Sequence, residues 1–271
     1  LLRASGIPVE VTESRDVGDL ESQVLAAASG GAQRIVVAGG DGSVHEAANG
    51  IMRAGGEAAL GVVPSGTGND FAKGCDISLD WERTTERLAA RIHAGEHGRL
   101  VDIGRMNGRY FANGAGIGFD ARVTQIARSY RLPIGDLVYL FAILRGMLEG
   151  IATPHMRIKS DAGTREGPVT LANIANGPWV GGMFHIAPMA VNNDGKLELM
   201  IADPVTRRRI VALLPKLMSG QHVDEPEIQH HSVESLTVTA DEPVASHLDG
   251  EVQPLASRFE IDVLPGALRL L

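Results

Sequence analysis

Two short apolar runs, each followed by a glycine-rich turn, stand out in the first quarter of the chain. The runs cover residues 35–38 and 59–63, and apolar runs of this length are typical of buried strands. Between them, Ser43 and Glu46 form an S-x-x-E capping box ahead of apolar residues at helical spacing. The pattern therefore predicts two parallel strands joined by a helix.

The helical period continues to about residue 97, and an alternating period takes over from residue 98. Asp80 is a typical N-cap residue for a helix, and Asn107-Gly108 is a typical two-residue hairpin turn between strands at 99–106 and 109–113. The other predicted elements are a strand at 9–11, helices at 16–29, 135–150 and 204–219 (Pro204 at the first helical position), and strands at 155–160, 169–175, 196–202, 232–240 and 258–264.

This change of period predicts two domains. Strands that alternate with helices over residues 1–97 indicate an α/β domain with a parallel, Rossmann-type sheet. Many short strands separated by turns over residues 98–271 indicate an all-β sandwich. The last strand can return to the first domain.

Composition narrows the class of protein. The 271-residue chain carries a formal charge of −8 and no run rich in lysine and arginine, which argues against a nucleic-acid partner. Cys75 is the only cysteine, so a reducing compartment, the cytoplasm, is expected. No apolar run approaches the length of a transmembrane helix, so we expect a chain without a membrane span.

The two glycine-rich turns are the strongest candidates for chemistry. Each follows a predicted strand, so both should lie at the carboxyl edge of the sheet, where α/β proteins bind ligands. Free N–H groups at the start of the intervening helix suit a phosphate, although a lone turn of this kind is as often only a tight connection. Neither a Walker lysine nor a G-x-G-x-x-G fingerprint is present. The predicted phosphate-binding residues are Gly39, Gly40, Asp41, Gly42, Ser43, Val44, His45 and Glu46 in the first turn and Gly66, Thr67, Asn69 and Asp70 in the second.

The pair of segments GGDGS and PSGTGNDFA resembles the bacterial soluble diacylglycerol kinase-like lipid kinases, a branch of the superfamily that includes sphingosine, ceramide and NAD kinases. The resemblance implies an NAD kinase-like fold and ATP phosphates on the first turn, with Thr67 also on the nucleotide. It further implies nucleotide contacts near Ser14 and Asp102, for which a local turn and a solvated strand edge are the alternatives. The family begins one βα unit earlier, with an N-P-x-x-G-type turn, so the ATP site of the present sequence is expected to be incomplete.

The segment at 192–197 contains Asn-Asp-Gly and would by itself be a hairpin turn. It matches a segment of the same family that holds a structural magnesium ion. The match implies the Asp194 carboxylate and the backbone carbonyls of Val191 and Lys196 as ligands, and such oxygen ligands suit Mg²⁺.

The last motif is His247-Leu-Asp-Gly-Glu251, which alone would be a polar turn. It resembles the family's L-D-G-E segment, which supplies the base for the acceptor hydroxyl. The match assigns that role to Glu251, with Asp249 as competitor or as its metal-binding neighbour. Asp120, in the glycine-rich segment 113–120, is expected to be structural, and none of the nine histidines is expected to be catalytic.

The resemblance implies an ATP-dependent lipid kinase that phosphorylates diacylglycerol or a related lipid at a membrane surface, with Mg²⁺ as cofactor. A superfamily kinase with a soluble acceptor and a non-catalytic nucleotide- or lipid-binding protein are the alternatives. The apolar helix at 135–150 is either buried on the sandwich or flanks the opening for the lipid. Oligomeric state stays open, with a homodimer among the alternatives.

Overall fold

The computed structural model describes residues 1–130, 135 and 137–271. The helices are α1 (Asp19–Ser29), α2 (Asp41–Arg53), α3 (Asp70–Gly74), α4 (Trp81–His93), α5 (Phe119–Ser129), α6 (Leu137–Glu149) and α7 (Arg207–Ser219). The strands are β1 (Arg34–Gly39), β2 (Ala59–Pro64), β3 (Arg99–Met106), β4 (Arg109–Phe111), β5 (Gly114–Gly118), β6 (His155–Ser160), β7 (Gly163–Pro168), β8 (Leu171–Ala175), β9 (Leu197–Ala202), β10 (Ile228–Val233), β11 (Ser235–Leu248) and β12 (Glu251–Leu270).

One long strand joins the two parts of the molecule. Along the sheet the order is β1-β2-β12-β11-β5-β8-β9-β10, with β3 against β12 and β6 against β11. The end of β12 pairs in parallel with β2, Arg269 opposite Ala59, whereas its earlier part pairs antiparallel with β11. An α/β layer and a β-sandwich therefore share a continuous sheet, which confirms the predicted fold class.

Two apolar cores lie on either side of this seam. The first packs α2 against the parallel strands, with Ile51 and Leu60 fully buried. The second fills the sandwich, with Ile117 and Ile174 fully buried. A third cluster, formed by α5, α6 and α7, covers the outside of the sandwich.

The first apolar run is an edge strand rather than a buried one. Only Val37 of β1 is buried, because β1 pairs with β2 alone in the described part of the chain. The predicted strand at 9–11 does not form, and Val11 is exposed. An apolar run shows that a strand is favoured but does not show how many neighbours it will have.

The predicted capping box is also wrong. Helix α2 begins at Asp41 with Gly40 as its N-cap, so Ser43 already lies inside the helix. The Glu46 carboxylate instead accepts the backbone N–H groups of Gly18 and Glu21 at the start of α1, at 3.0 and 3.1 Å. The Glu46 side chain therefore caps the neighbouring helix α1 instead of its own helix α2.

Other local signals have mixed outcomes. Asp80 caps α4 as predicted, and the φ angles of Asn107 (49°) and Gly108 (83°) fit the predicted hairpin turn. Helix α7 begins at Arg207 rather than Pro204, since the Thr206 hydroxyl accepts the N–H of Arg209 and caps it there. Strand β7 was not predicted, and residues 232–240 are divided between β10 and β11 because Glu234 interrupts them.

Helix α6 is partly buried and partly exposed, so it fits neither alternative, burial on the sandwich or a place beside the lipid opening, to the exclusion of the other. Its Ala142, Ile143 and Met147 are buried, while Phe141 and Leu148 are 51% and 77% exposed. Among the described residues, no helix combines the length and apolar character needed to cross a bilayer.

Candidate active site

The two glycine-rich turns are in direct contact. A Cβ added to Gly66 would lie 2.4 Å from the Gly40 Cα, and the Ser65 N–H donates to the Gly39 carbonyl at 3.0 Å. The Asn69 side chain accepts the N–H of Gly66 and donates to its carbonyl, which fixes the second turn. Only glycine fits where the two backbones touch, so the predicted side-by-side arrangement is present.

Helix α2 starts at this contact with its backbone donors available. No side chain of the described residues caps its first turn. The first N–H groups of a helix have no intrahelical acceptors and carry a partial positive charge. The start of α2 is therefore suited to bind an anionic group such as a phosphate.

Two carboxylates cross-link the turns and the opposite wall of the cleft. Asp41 Oδ1 accepts the Phe71 N–H at 3.1 Å, so a residue of the first turn holds the start of α3, the helix that follows the second turn. Asp70 accepts the Gly182 N–H at 3.0 Å, which ties this turn to the loop before β9. Burial raises the pKa of Asp41. The hydrogen bond from the Phe71 N–H lowers it and the nearby Asp249 charge raises it, so the pKa is raised overall.

Asp249 is the most heavily bonded acid of the site. Its side chain is 2% exposed and accepts the N–H groups of Ala112, Asn113 and Gly114 at 2.8–2.9 Å, with His45 Nδ1 at 2.9 Å. Burial alone would raise the pKa of Asp249, but the His45 contact and these N–H groups hold it below its usual value. Asp249 is therefore an ionised anchor between α2 and the start of β5.

Glu251, two residues later, faces the first glycine turn. A Cβ added to Gly42 would lie 3.3 Å from Glu251 Oε1. The same oxygen pairs with Arg128 Nη1 at 2.5 Å, and the Glu251 side chain is 24% exposed. The 247–251 motif and the first turn, far apart in sequence, thus meet at one edge of the cleft.

The cleft adjoins a larger apolar pocket. The polar cleft encloses about 500 Å³ of space open to solvent and is lined by Asp41, Asp70 and Asp249. The apolar pocket encloses about 1000 Å³ beneath α5, α6 and α7. The residues common to both walls are Tyr139, Val180, Gly181 and Ile186.

Most of the other predicted nucleotide residues lie away from the contact between the two turns, Thr67 excepted. Ser14 is exposed on a coil, and Asp102 is buried, accepting the N–H groups of Gly195 and Gly266 at 2.7 Å each. Val44 and His45 are buried behind the first turn, and Glu46 is bonded to α1 as described above. Thr67 is exposed on the second turn.

The predicted magnesium loop is held by Asp102 as well as by its own carboxylate, Asp194. The Asp102 N–H donates to the Asn192 carbonyl at 2.7 Å, and Asp194 Oδ1 accepts the Lys196 N–H at 3.0 Å. Val191 is 49% exposed. No group of three or more His, Cys, Asp or Glu side chains positioned for a metal ion occurs in the described part of the chain.

The sequence reasoning missed the opposite wall of the cleft. Asp120 and His247 approach each other there, with Oδ2 and Nε2 3.3 Å apart, and Asn173 Nδ2 donates to the same Asp120 oxygen at 3.0 Å. Burial raises the pKa of Tyr139, and the neighbouring Asp70 charge raises it further, which keeps the phenol neutral. These residues come from separate strands and helices, so no local motif unites them.

Comparison with known proteins identifies the families to which the two parts of the chain are similar. Residues 1–106 match the diacylglycerol kinase catalytic domain, and residues 114–271 match the YegS C-terminal NAD kinase beta sandwich-like domain. A diacylglycerol kinase structure from Bacillus anthracis superposes with a TM-score of 0.72 at 20% identity, covering 99% of this chain and 87% of the other. That likeness is one of fold.

Closer relatives carry the family assignment. A protein of Pseudomonas aeruginosa named probable lipid kinase YegS-like is 32% identical over 99% of this chain and 86% of its own length. One of the same name from Cronobacter sakazakii is also 32% identical, over 99% and 88%. With both domains matched in order, the chain belongs to the YegS-like family of lipid kinases.

Proposed function

We propose that this protein transfers the γ-phosphoryl group of Mg·ATP to a hydroxyl of diacylglycerol or a related glycerolipid. The observation that carries the proposal is the junction of the polar cleft with the apolar pocket, whose common wall includes Tyr139 and Ile186. Phosphate binding needs only the polar cleft, and a soluble acceptor such as NAD gains nothing from the apolar pocket. An acceptor with acyl chains uses both.

The nucleotide phosphates would bind where the turns touch. The bare backbones of Gly40 and Gly66 allow close approach, and the free N–H groups of α2 offer donors and a positive dipole end. Asp41 and Asp70 hold the two turns and the Gly182 loop in register. Phosphoryl transfer depends mainly on positioning and charge neutralisation, and these contacts supply the positioning.

The acceptor hydroxyl would lie between this site and Glu251. As the hydroxyl oxygen bonds to the γ-phosphorus, the bond from phosphorus to the β,γ-bridging oxygen breaks and ADP leaves with the electron pair. The hydroxyl proton passes to the Glu251 carboxylate, which lies against Gly42 beside the phosphate end. Asp249 is less suited to this role, because both its oxygens already accept N–H groups and its pKa is lowered.

Magnesium would serve in two places. An ion bound with ATP would neutralise charge that develops on the phosphates. A structural ion at Val191, Asp194 and Lys196 would rest on one carboxylate and two carbonyls, which are the hard oxygen donors that Mg²⁺ accepts. One oxygen of Asp194 already accepts the Lys196 N–H, so only part of that carboxylate is committed to the loop.

The exposed face of α6 gives the lipid a route to the pocket. Leu137, Phe141, Leu144 and Leu148 lie at helical spacing on this face and are 39–77% exposed. Tyr139 and Ile143 of the same helix line the apolar pocket. We assign the exposed face to a lipid surface, because it is continuous with the cavity that would receive the acyl chains.

Replacing Phe141 by aspartate should weaken vesicle binding about tenfold, since burying a phenylalanine in an apolar phase contributes about 1.5–3 kcal/mol. The measurement is co-sedimentation with vesicles of phosphatidylglycerol and diacylglycerol. Trp81→Asp is a matched control, because Trp81 is also 51% exposed but lies on α4 in the other domain. Equal losses in the two variants would remove α6 from the lipid surface.

Gly66→Ala should weaken ATP binding at least tenfold, because the added Cβ would force the two turns apart. Isothermal titration with Mg·ATP measures this, with Ser65→Ala, on the exposed part of the same turn, as the control. Unchanged affinity in Gly66→Ala would place the nucleotide elsewhere. Binding without any turnover would favour a non-catalytic protein.

A further inference from the structure

A polar pair, a buried histidine and a half-buried aspartate, marks the boundary between the cleft and the apolar pocket. His247, at the end of β11, lines the polar cleft, whereas Asp120, at the start of α5, lines the apolar pocket. Their Nε2 and Oδ2 atoms are 3.3 Å apart. Neither residue is used in the phosphotransfer step described above.

The sheet register is arranged to accommodate this pair. His247 on β11 lies opposite Gly116 on β5, and Gly116 lies opposite Asn173 on β8. A Cβ on Gly116 would lie 2.3 Å from Asp120 Oδ2 and 2.4 Å from His247 Nε2. The missing side chain in the middle strand therefore leaves the space in which the carboxylate and the imidazole meet.

One hydrogen-bonding atom of this arrangement is left over. The Gly250 N–H donates to His247 Nδ1 at 3.3 Å, which assigns the ring proton to Nε2. Although Asp120 is close, Nε2 has no aligned hydrogen-bond partner among the described residues, and the His247 side chain is 2% exposed. Because Asp120 Oδ2 is near Nε2 without forming an aligned hydrogen bond, this N–H can still donate to a ligand.

Asp120 and Asn173 hold the imidazole in place. Asn173 Nδ2 donates to Asp120 Oδ2, and its own Oδ1 is also buried without a partner in the described chain. Burial would raise the pKa of Asp120, but His247 and the Asn173 N–H together keep it below its usual value, so the carboxylate is ionised. The negative charge of Asp120 next to Nε2 favours the tautomer that carries the proton on that nitrogen.

We propose that His247 Nε2–H binds the acyl carbonyl of the acceptor lipid, with Asp120 and Asn173 as positioning residues. In an acylated lipid the carbonyl is the atom at the boundary between the polar head and the apolar chain. His247 holds the corresponding place in the protein, at the boundary between the polar cleft and the apolar pocket. The inference rests on the lipid kinase function proposed above and makes His247 a determinant of acceptor specificity.

The test compares lipids that differ only at the carbonyl. Initial rates are measured with a short-chain diester glycerol, the matching diether glycerol that lacks carbonyls, and an amide-linked hydroxy-lipid. A hydrogen bond contributes about 0.5–1.5 kcal/mol, so the wild type should prefer an acyl-linked lipid over the diether by up to about tenfold, mainly in KM. Comparing the rates with the diester glycerol and with the amide-linked lipid identifies which linkage supplies the carbonyl.

In His247→Ala that preference should fall to about one, while KM for ATP is unchanged. A merely structural role would lower the rates with all three lipids equally and leave the preference intact. Should His247→Ala melt below the assay temperature, His247→Gln, which keeps a side-chain N–H, is expected to retain part of the preference. A wild-type preference near one, or a preference unaffected by either variant, would overturn the inference. Absence of any lipid phosphorylation by the wild type would instead overturn the proposed function, and this inference with it.

Discussion

Glu251→Gln is expected to lower kcat about 10²–10⁴-fold with the fold intact, which is the usual contribution of a positioned general base. Glutamine keeps the shape of the side chain but cannot accept the hydroxyl proton. The kcat is measured as the steady-state rate of lipid phosphorylation at saturating Mg·ATP. Because Glu251 also pairs with Arg128 at 2.5 Å, an Arg128→Gln variant separates loss of the base from loss of the pair.

Arg128→Gln should fold normally, since the pair is partly exposed and exposed pairs contribute little to stability. It should therefore retain most of the activity. The nucleotide should bind normally to both variants. A defect of Glu251→Gln confined to KM for ATP would make the residue a nucleotide ligand rather than the base. Normal turnover in Glu251→Gln would leave the 247–251 motif as a polar turn.

Asp249→Asn is expected to lower the free energy of unfolding by about 1–3 kcal/mol, the cost of leaving buried hydrogen-bonding groups unsatisfied. In the variant, an amide NH₂ group replaces one carboxylate oxygen. This donor would face the N–H donors of Ala112, Asn113 or Gly114, or the His45 ring, where the wild type has an acceptor. Urea unfolding at neutral pH measures the loss. If Asp249 is instead the base, the variant will be stable and inactive.

The same residue should shape the acid limb of the stability curve. Because the pKa of Asp249 is lower in the folded chain, its stabilising contribution is fully present above the unfolded pKa, near 3.8. That contribution is lost as the pH falls through the folded value. Asp249→Asn should therefore flatten the decline in stability below about pH 4.

The glycine turns were predictable because the constraint is local. The contact between Gly40 and Gly66 follows from two short strands that are each followed by a glycine-rich turn, and parallel pairing then brings the turns together. The Asn107-Gly108 hairpin and the Asp80 cap were predictable for the same reason. In each case a residue with a special backbone preference or a side chain with one nearby target decides the conformation.

The other wall of the cleft depends on register and could not be predicted in this way. His247, Gly116 and Asn173 become neighbours only because β11, β5 and β8 pair in one alignment. Glu46 shows the same limit, because its partner is the start of another helix rather than its own. The apolar pocket is likewise assembled from three helices and three strands whose separate patterns indicate only packing.

The most direct measurement of the central claim follows the γ-phosphate itself. ATP labelled at the γ-phosphate is incubated with the protein and Mg²⁺ in the presence of diacylglycerol vesicles, phosphatidylglycerol vesicles or NAD, and the products are separated. We predict label in a lipid, none in NAD, and loss of that product in Glu251→Gln. Label in NAD with none in any lipid would contradict the assignment of a lipid acceptor, and label in neither, with ATP bound, would contradict catalysis.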